Sequence, residues 1–403
     1  MASFHNKNKI QYDTTISLPA TKKLAWYENN PSSGPGILFF SGGSALQSLS
    51  HHLAAFTHNS MHIITPFDSG GSSANLRKAF DMPAVGDIRN RLIALSDPSC
   101  TGNPEACALF SYRMPRTESP DELLDSLFRM TSGEHPLTAG MSGPMQKIIQ
   151  DYLHNFMERM PCDFDLRGAS IGNLMLASAY LSHHRRLDQA ICLFSELTHV
   201  RGIVRPVVDE HLHLTVQLEN NETIVGQHLI TGKEIMPLNS MIKQITLSEK
   251  ETHPLPADVF LPKHIQALIR RADMIVYPMG SFYSSLISNL LPHGVGDTIS
   301  HVSCPKIYIP NTGPDPEAIG LSLADQVEIL LSFLKKDNPI KIATEQVLHF
   351  IIVDRANGSY AGGVDEERIR KMGVDIIDYP LISTRNFPLI DEKLLVPLLL
   401  SFT

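Results

Sequence analysis

Gly42-Gly43-Ser44 follows directly on an apolar run at residues 36–40 and precedes a helical pattern at residues 45–56. Glycines at that place let backbone N–H groups approach a phosphate closely, and the helix N-terminus behind them adds partial positive charge. Gly70-Gly71-Ser72-Ser73 repeats the arrangement after a second apolar run at residues 61–66. Asp68 stands there at the carboxyl end of the run, where open α/β sheets gather the groups that touch ligands. A third segment, Val85-Gly86-Asp87-Ile88-Arg89-Asn90-Arg91, opens another helical pattern. The Arg89 guanidinium has the shape to hold two phosphate oxygens at once, which predicts at least a tenfold loss of affinity on its removal. Asp87 also suits a helix N-cap, and Arg91 a solvated side chain. Neither glycine turn spells G-x-G-x-x-G or G-x-x-x-x-G-K-[ST], so spacing alone points to an anion without naming it.

These residues need a scaffold, and the 403-residue chain, 43% hydrophobic and 19% charged, has ample material for a core. With 34 Lys+Arg against 42 Asp+Glu the net charge is −8, so a phosphate must be held by local donors and general nucleic-acid binding is excluded. A mean hydropathy near zero excludes a disordered chain and an integral membrane protein. Five scattered cysteines (Cys100, Cys107, Cys162, Cys192, Cys304), none in C-x-x-C spacing, and a start lacking an apolar signal region predict reduced thiols in a cytoplasmic protein.

Short buried-strand runs alternate with helical patterns along the chain, which predicts an α/β fold, Rossmann-like, with a mostly parallel sheet and helices on both faces. A single domain over 36–403 is expected, with 1–35 as an N-terminal extension. Residues 100–143 read as an insertion or lid with one helix near 120–130. Helices are expected at 145–159, 171–181 and 187–197. Leu212, Leu214, Val216 and Leu218 alternate with polar residues, so 201–249 reads as an antiparallel ribbon subdomain. The α/β rhythm returns in strands at 274–279, 306–310 and 347–353, and in a helix striped by Leu323, Val327, Leu330, Leu331 and Leu334.

Taken in order, SGGS, DSGGSSANLRK, GDIRNRLIAL, LFSYRMP, GASIGNLMLAS, ADMIVYPMGSFYSSLISNLLPHGV and YIPN…GLSLADQVE resemble the CofD-like superfamily between residues 36 and 328. That superfamily holds the 2-phospho-L-lactate transferases of deazaflavin cofactor synthesis and the YvcK-type proteins. The GGSS and GDIRN blocks are more similar to the YvcK branch, whose members bind nucleotide-sugars and regulate carbon and cell-wall metabolism. The resemblance implies a nucleotide across the carboxyl ends of the strands. Gly42, Gly43 and Ser44 would line its phosphate loop, and Gly71, Ser72 and Ser73 would continue the loop that Asp68 opens. Asp87, Arg89 and Asn90 form the GDIRN polar cluster, Asn173 belongs to the G-N-L block, Gly280, Ser281, Tyr283 and Ser284 form a late glycine–serine turn, and Asn311 closes the next strand.

The reading placed first is a transferase that moves a phosphate-containing group from a nucleotide conjugate to an acceptor hydroxyl. Asp68, Arg89 and Asn90 are its catalytic residues, with Mg²⁺ at Asp68. The alternative is a nucleotide-sugar-binding regulator without turnover. Expected partners are the nucleotide or its conjugate and further copies of the chain in a homo-oligomer such as a dimer, without nucleic acid or membrane. Two departures bear on the chemistry. Many relatives carry two acids where this chain has Asp68-Ser69, and a His where it has Ala169; a metal ligand and a proton carrier are thereby lost.

Gly168-Ala169-Ser170-Ile171-Gly172 spells the G-x-S-x-G of a nucleophile elbow, but the preceding residues 162–167 are mostly polar or charged and offer no buried strand, so close packing at a helix start is the expected role. His211, His213 and the pairs His51-His52 and His183-His184 lack a zinc-type spacing of Cys or carboxylate partners.

Overall fold

In a computed structural model, the described residues are 18–97, 103–141, 143–232 and 238–403. Cys100, the start of the chain and the beginning of the 100–143 insertion lie outside them.

The apolar run Ile37–Ser41 (β1) is buried along its whole length, and it pairs in parallel on both sides. Met61–Ile64 (β2) and Ile203–Pro206 (β3) extend the sheet in one direction. Met274–Tyr277 (β7), Lys306–Tyr308 (β8), Phe350–Val353 (β9) and Asp375–Asp378 (β10) extend it in the other. The order is β10-β9-β8-β7-β1-β2-β3, and every pair is parallel. Such a sheet is covered on both faces, which is why its strands read as continuous apolar runs. Ile37, Phe39, Met274, Val276, Ile307 and Ile352 meet the helices Gln47–Leu53 and Glu392–Ser401 on one face. Leu38, Phe40, Ile275 and Tyr277 face the opposite core, which includes helix Leu323–Lys335.

The chain leaves β1 outward to β2 and β3, then crosses back to β7 and runs outward the other way. Strand order therefore reverses between β1 and β7, and in open α/β sheets the crevice at that reversal is where ligands bind. Ile203–Pro206 lies in this large sheet. The antiparallel ribbon is His213–Leu218 (β4), Thr223–Val225 (β5) and Ile242–Ser248 (β6), in order β5-β4-β6.

The insertion holds more helix than the single one expected: Pro104–Ser111, Pro120–Ser132 and Pro136–Ala139. Ser119 and Glu122 cap the second of these reciprocally. Together with Gly143–Arg159, Ile171–Ser182 and Leu187–Leu197 these helices build a third apolar cluster. Among the described residues no helix is long and apolar enough to cross a membrane.

Candidate functional site

At the β1–β7 reversal two cavities meet. The smaller encloses about 130 Å³. Gly43 and Ser44 enter it from the end of β1, Asp68 and Gly70 from the end of β2, and Asp87 from the start of helix Gly86–Ala94. Ser281 and Ser285 come from beyond β7, and Gln227, His228 and Thr231 from the turn after β5. The larger cavity, about 690 Å³, shares Ser44 and Ser281 with it. Its remaining wall combines apolar Leu49, Met279, Leu389 and Ile390 with Ser48, Asn311, Asp315, Arg385, Asn386 and Glu392. That volume and mixture suit a nucleoside-sized ligand.

The β1 turn is shaped from beneath by Arg91, which has no exposed surface. Its Nη2 donates to the carbonyls of Gly42 at 3.0 Å and Gly43 at 3.4 Å. Nη1 donates to the Leu46 carbonyl at 2.6 Å and to Ser50 Oγ. Burial draws this guanidinium down to about 10, so it remains a cation at neutral pH. The expected solvated Arg91 is thus corrected: it ties down the loop. The side chain of Asp87 packs on the loop itself. A Cβ on Gly43 would fall 2.7 Å from Asp87 Cγ and 2.9 Å from Asp87 Cα, so only glycine fits there.

Asp68 Oδ1 accepts the Gly70 N–H at 3.1 Å, and Arg77 donates to the Asp68 backbone carbonyl at 3.2 Å. Around it gather Gly86, Ser73 and Asn173: a Cβ on Gly86 would lie 2.5 Å from Ser73 Oγ and 3.3 Å from Asp68 Oδ2. Asn173 donates to Ser72 Oγ at 2.9 Å, while its Oδ1 is buried without a partner among the described residues. Gly71 and Ser72 begin helix Gly71–Phe80 beside this group.

The structure divides the remaining expected residues. Asn311 clamps Gly280, accepting its N–H at 2.9 Å and donating to its carbonyl at 2.7 Å. Tyr283 and Ser284 are buried, and their backbone N–H groups donate to Glu317 Oε2 at 3.0 and 2.7 Å. The Ser284 hydroxyl donates to Glu317 Oε1 at 2.5 Å, and the Phe282 N–H to Asp315 Oδ2 at 2.7 Å. The late turn contributes Ser281 and Ser285 to the site, whereas Gly280 lines neither cavity and the amides of Phe282, Tyr283 and Ser284 are spent on carboxylates of the same chain. Burial, with Asp315 nearby, pushes the Glu317 carboxyl up to about 7.

Arg89 and Asn90 line neither cavity. Arg89 is buried against helix Ile171–Ser182, where a Cβ on Gly172 would come within 2.9 Å of its Cδ, and its Nη1 reaches the Phe110 carbonyl at 3.5 Å. It holds helices together beside the site. Ser170 has no exposed surface and begins helix Ile171–Ser182 without a strand before it. Beyond β3, Asp188, Asp209 and His264 bring three potential ligand atoms within 4.8 Å of one another, but Arg205 Nε stands 3.3 Å from Asp188 Oδ1 and already supplies a cation.

Sequence reasoning missed Gln227, His228, Thr231, Ser285, Arg385 and Asn386. The ribbon's alternation located its strands but not where the turn after β5 docks. The segment 385–392 carries no glycine signature.

A parallel sheet flanked by helices, with a crevice where strand order reverses, defines a Rossmann-like α/β protein. The chain belongs to the CofD family, whose model, described as 2-phospho-L-lactate transferase CofD, matches residues 37–382. It is 28% identical over 354 residues to a gluconeogenesis factor of Halalkalibacterium halodurans, covering 85% of this chain and 88% of the relative. It is 27% identical over 357 residues to a putative gluconeogenesis factor of Thermoanaerobacterium thermosulfurigenes, covering 88% and 92%. These names agree with the YvcK-like spelling of the GGSS and GDIRN blocks. The fold is shared with a solved member of the UPF0052 family from Bacillus halodurans, at TM-score 0.63 and 24% identity over 90% of this chain and 98% of that one.

Proposed function

We propose that the chain binds a nucleotide conjugate across the β1–β7 reversal, nucleoside in the larger cavity and diphosphate in the smaller, and transfers a phosphate-containing group to an acceptor hydroxyl. The observation that carries this reading is the junction of two cavities at Ser44 and Ser281, with Asp68 and Asp87 on the wall of the smaller one and neither lysine nor arginine among its described lining residues. A diphosphate beside two carboxylates calls for a cation. Carboxylates, hydroxyls and an amide carbonyl are the donor set of a hard divalent ion, so Mg²⁺ fits. Asp68 and Asp87 would hold it, and it would neutralise phosphate charge.

The chain's own groups do the rest. The loop fixed by Arg91 presents Gly43 and Ser44 to the phosphates, and Ser281 and Ser285 offer hydroxyl donors. The acceptor oxygen bonds to phosphorus as the bridging phosphorus–oxygen bond breaks, a nucleoside monophosphate leaves, and the acceptor's proton goes to the freed phosphate oxygen of that leaving group. Positioning and charge compensation supply most of the acceleration in such chemistry. A cytoplasmic location belongs to the proposal, supported by Cys162, Cys192 and Cys304 forming no disulfide among the described residues.

A binder without turnover is the second reading, favoured by the name gluconeogenesis factor on relatives that match over most of their length. The test is calorimetry with nucleoside diphosphates and their conjugates, with and without Mg²⁺, beside an assay of nucleoside monophosphate release with candidate acceptors. A ligand at 100 times its Kd should stabilise the fold by about 2.7 kcal/mol. Asp68→Asn is expected to abolish release and the Mg²⁺-dependent part of binding. Tight binding with no release selects the second reading, and binding of no ligand overturns both.

A further inference from the structure

A further cavity, of about 530 Å³, opens on the far side of the segment that walls the larger one. Asn311, Gly313, Pro314, Asp315 and Pro316 line both, so residues 311–316 form a partition with a cavity on each face. The new cavity shares no lining residue with the smaller one, where the phosphates are placed. A compound held there stands apart from the transfer step.

The wall opposite the partition is the start of helix Leu323–Lys335 and the loop at 359–361, and Leu321, Leu323 and Pro310 make much of the lining apolar. Two hydrogen-bond donors are left over in it. Gln326 Oε1 accepts the buried Tyr308 hydroxyl at 2.9 Å, and Gln326 Nε2 has no hydrogen-bond partner among the described residues. The Tyr360 hydroxyl accepts the Asp354 N–H at 2.9 Å, which leaves its own proton to give. Burial pushes that phenol up to about 12, so it keeps the proton at neutral pH. The described lining includes a carboxylate, Asp315, and neither lysine nor arginine, so the cavity repels an anion. Apolar walls with two donors and no cation fit a small uncharged ring compound that brings an acceptor atom.

The partition also holds the late turn. Asn311 clamps Gly280 through both atoms of its amide, and Asp315 Oδ2 accepts the Phe282 N–H at 2.7 Å. Between Gly280 and Phe282 lies Ser281, which lines both the larger and the smaller cavity. An occupant packed on Pro314 and Pro316 braces Asn311 and Asp315 from behind, and a nucleotide then has less motion to still.

We propose that this cavity binds an uncharged aromatic compound bearing a hydrogen-bond acceptor, and that its occupation tightens nucleotide binding through Asn311 and Asp315. The coupling rests on the nucleotide reading above, whereas the site does not. The experiment uses the full chain with three probes, quinoline, coumarin and the anion quinoline-2-carboxylate. Probe binding is read by saturation-transfer NMR, and binding of ADP, GDP and UDP with Mg²⁺ by calorimetry, each with and without the other ligand. Wild type is run beside Ala361→Trp, which fills the cavity from its exposed rim, and Gln326→Glu, which keeps an acceptor for Tyr308 and removes the Nε2 donor.

Quinoline or coumarin should bind wild type, and quinoline-2-carboxylate at least about tenfold more weakly. Ala361→Trp should abolish probe binding, and Gln326→Glu should weaken it about fivefold while changing nucleotide affinity less than about twofold. A saturating neutral probe should tighten the nucleotide that binds by about fivefold, and that nucleotide should tighten the probe by the same factor. No binding of either neutral probe, or binding that survives Ala361→Trp, overturns the site. Probe binding that leaves nucleotide affinity unchanged overturns the coupling. Neutral probes that bind and are blocked by Ala361→Trp, in a protein that binds no nucleotide, overturn the nucleotide reading and the coupling with it while the site stands.

Discussion

After β1, the carbonyls of Gly42, Gly43 and Leu46 point at a buried cation, Arg91. After β7, the amides of Phe282, Tyr283 and Ser284 point at carboxylates, Asp315 and Glu317. The two turns have nearly the same composition, glycine and serine between a buried strand and a helical turn, and they are held by opposite charges on opposite sides of the peptide. A cation gripping carbonyls from beneath leaves the other side of the loop to a ligand. A carboxylate gripping amides has taken the ligand's place. The glycine–serine turn is therefore a device for presenting backbone groups, and the partner supplied from elsewhere in the chain decides whether a ligand or the protein uses them.

Removing the partner of the first turn should have the largest effect. Arg91→Leu leaves the Gly42 and Gly43 carbonyls in a dry interior without their donor, and a loss of about 3–5 kcal/mol is expected, read from urea unfolding, with ligand binding abolished. A loss under about 1 kcal/mol would show that the loop holds its shape unaided.

At the second turn the test is pH. The folded state holds Glu317 up to about 7, above the ordinary carboxylate value near 4.5. The native state keeps a proton that the unfolded chain releases, so this contribution to stability is complete below about pH 4.5 and is lost as pH rises toward about 7. Glu317→Gln should remove that slope and stabilise the protein at pH 8 by roughly 1–3 kcal/mol. Unfolding curves for both proteins between the two pH values check it, and parallel profiles would show that Glu317 titrates normally.

How much of this was legible in the sequence follows the same contrast. Turns and strands are local, so Gly42-Gly43-Ser44, Asp68 and the strands β1, β2, β4, β7, β8 and β9 could be read from residue order, whereas Ile203–Pro206, expected in the antiparallel ribbon, is a parallel strand of the large sheet. Partners are not local. Arg91 looks in sequence like any arginine on a helix, and only packing against Leu46 and Ser50 turns it inward. Arg89, two residues earlier, was the more attractive phosphate ligand, but a shift of two residues on a helix places it on another face, toward Gly172. Strand β10, with its half-exposed Asp375–Asp378, lacks the apolar run that marked the others. Gln227 and His228 depend on where a separate sheet docks, which alternation does not specify.

Two smaller effects sharpen the comparison at the ligand. Gly43→Ala drives a Cβ into Asp87 and should weaken nucleotide binding about tenfold, or about 1.4 kcal/mol, by calorimetry. Arg89→Ala should change the same affinity by less than about threefold, because its guanidinium lines neither cavity. A tenfold loss there would return Arg89 to the phosphate.

The central position of β1 also bears on how the protein is made. Its neighbours in the sheet are β2, which follows within about 20 residues, and β7, which follows more than 200 residues later. Translation adds about 5–20 residues per second, so the β7 side of Ile37–Ser41 stays unpaired for tens of seconds after β2 has emerged from the ribosome. An apolar strand with an open edge is a template for pairing with other chains. The nascent protein is most vulnerable to aggregation during that interval, and a chaperone that shields β1 until β7 arrives would raise the yield of folded molecules without touching the finished structure.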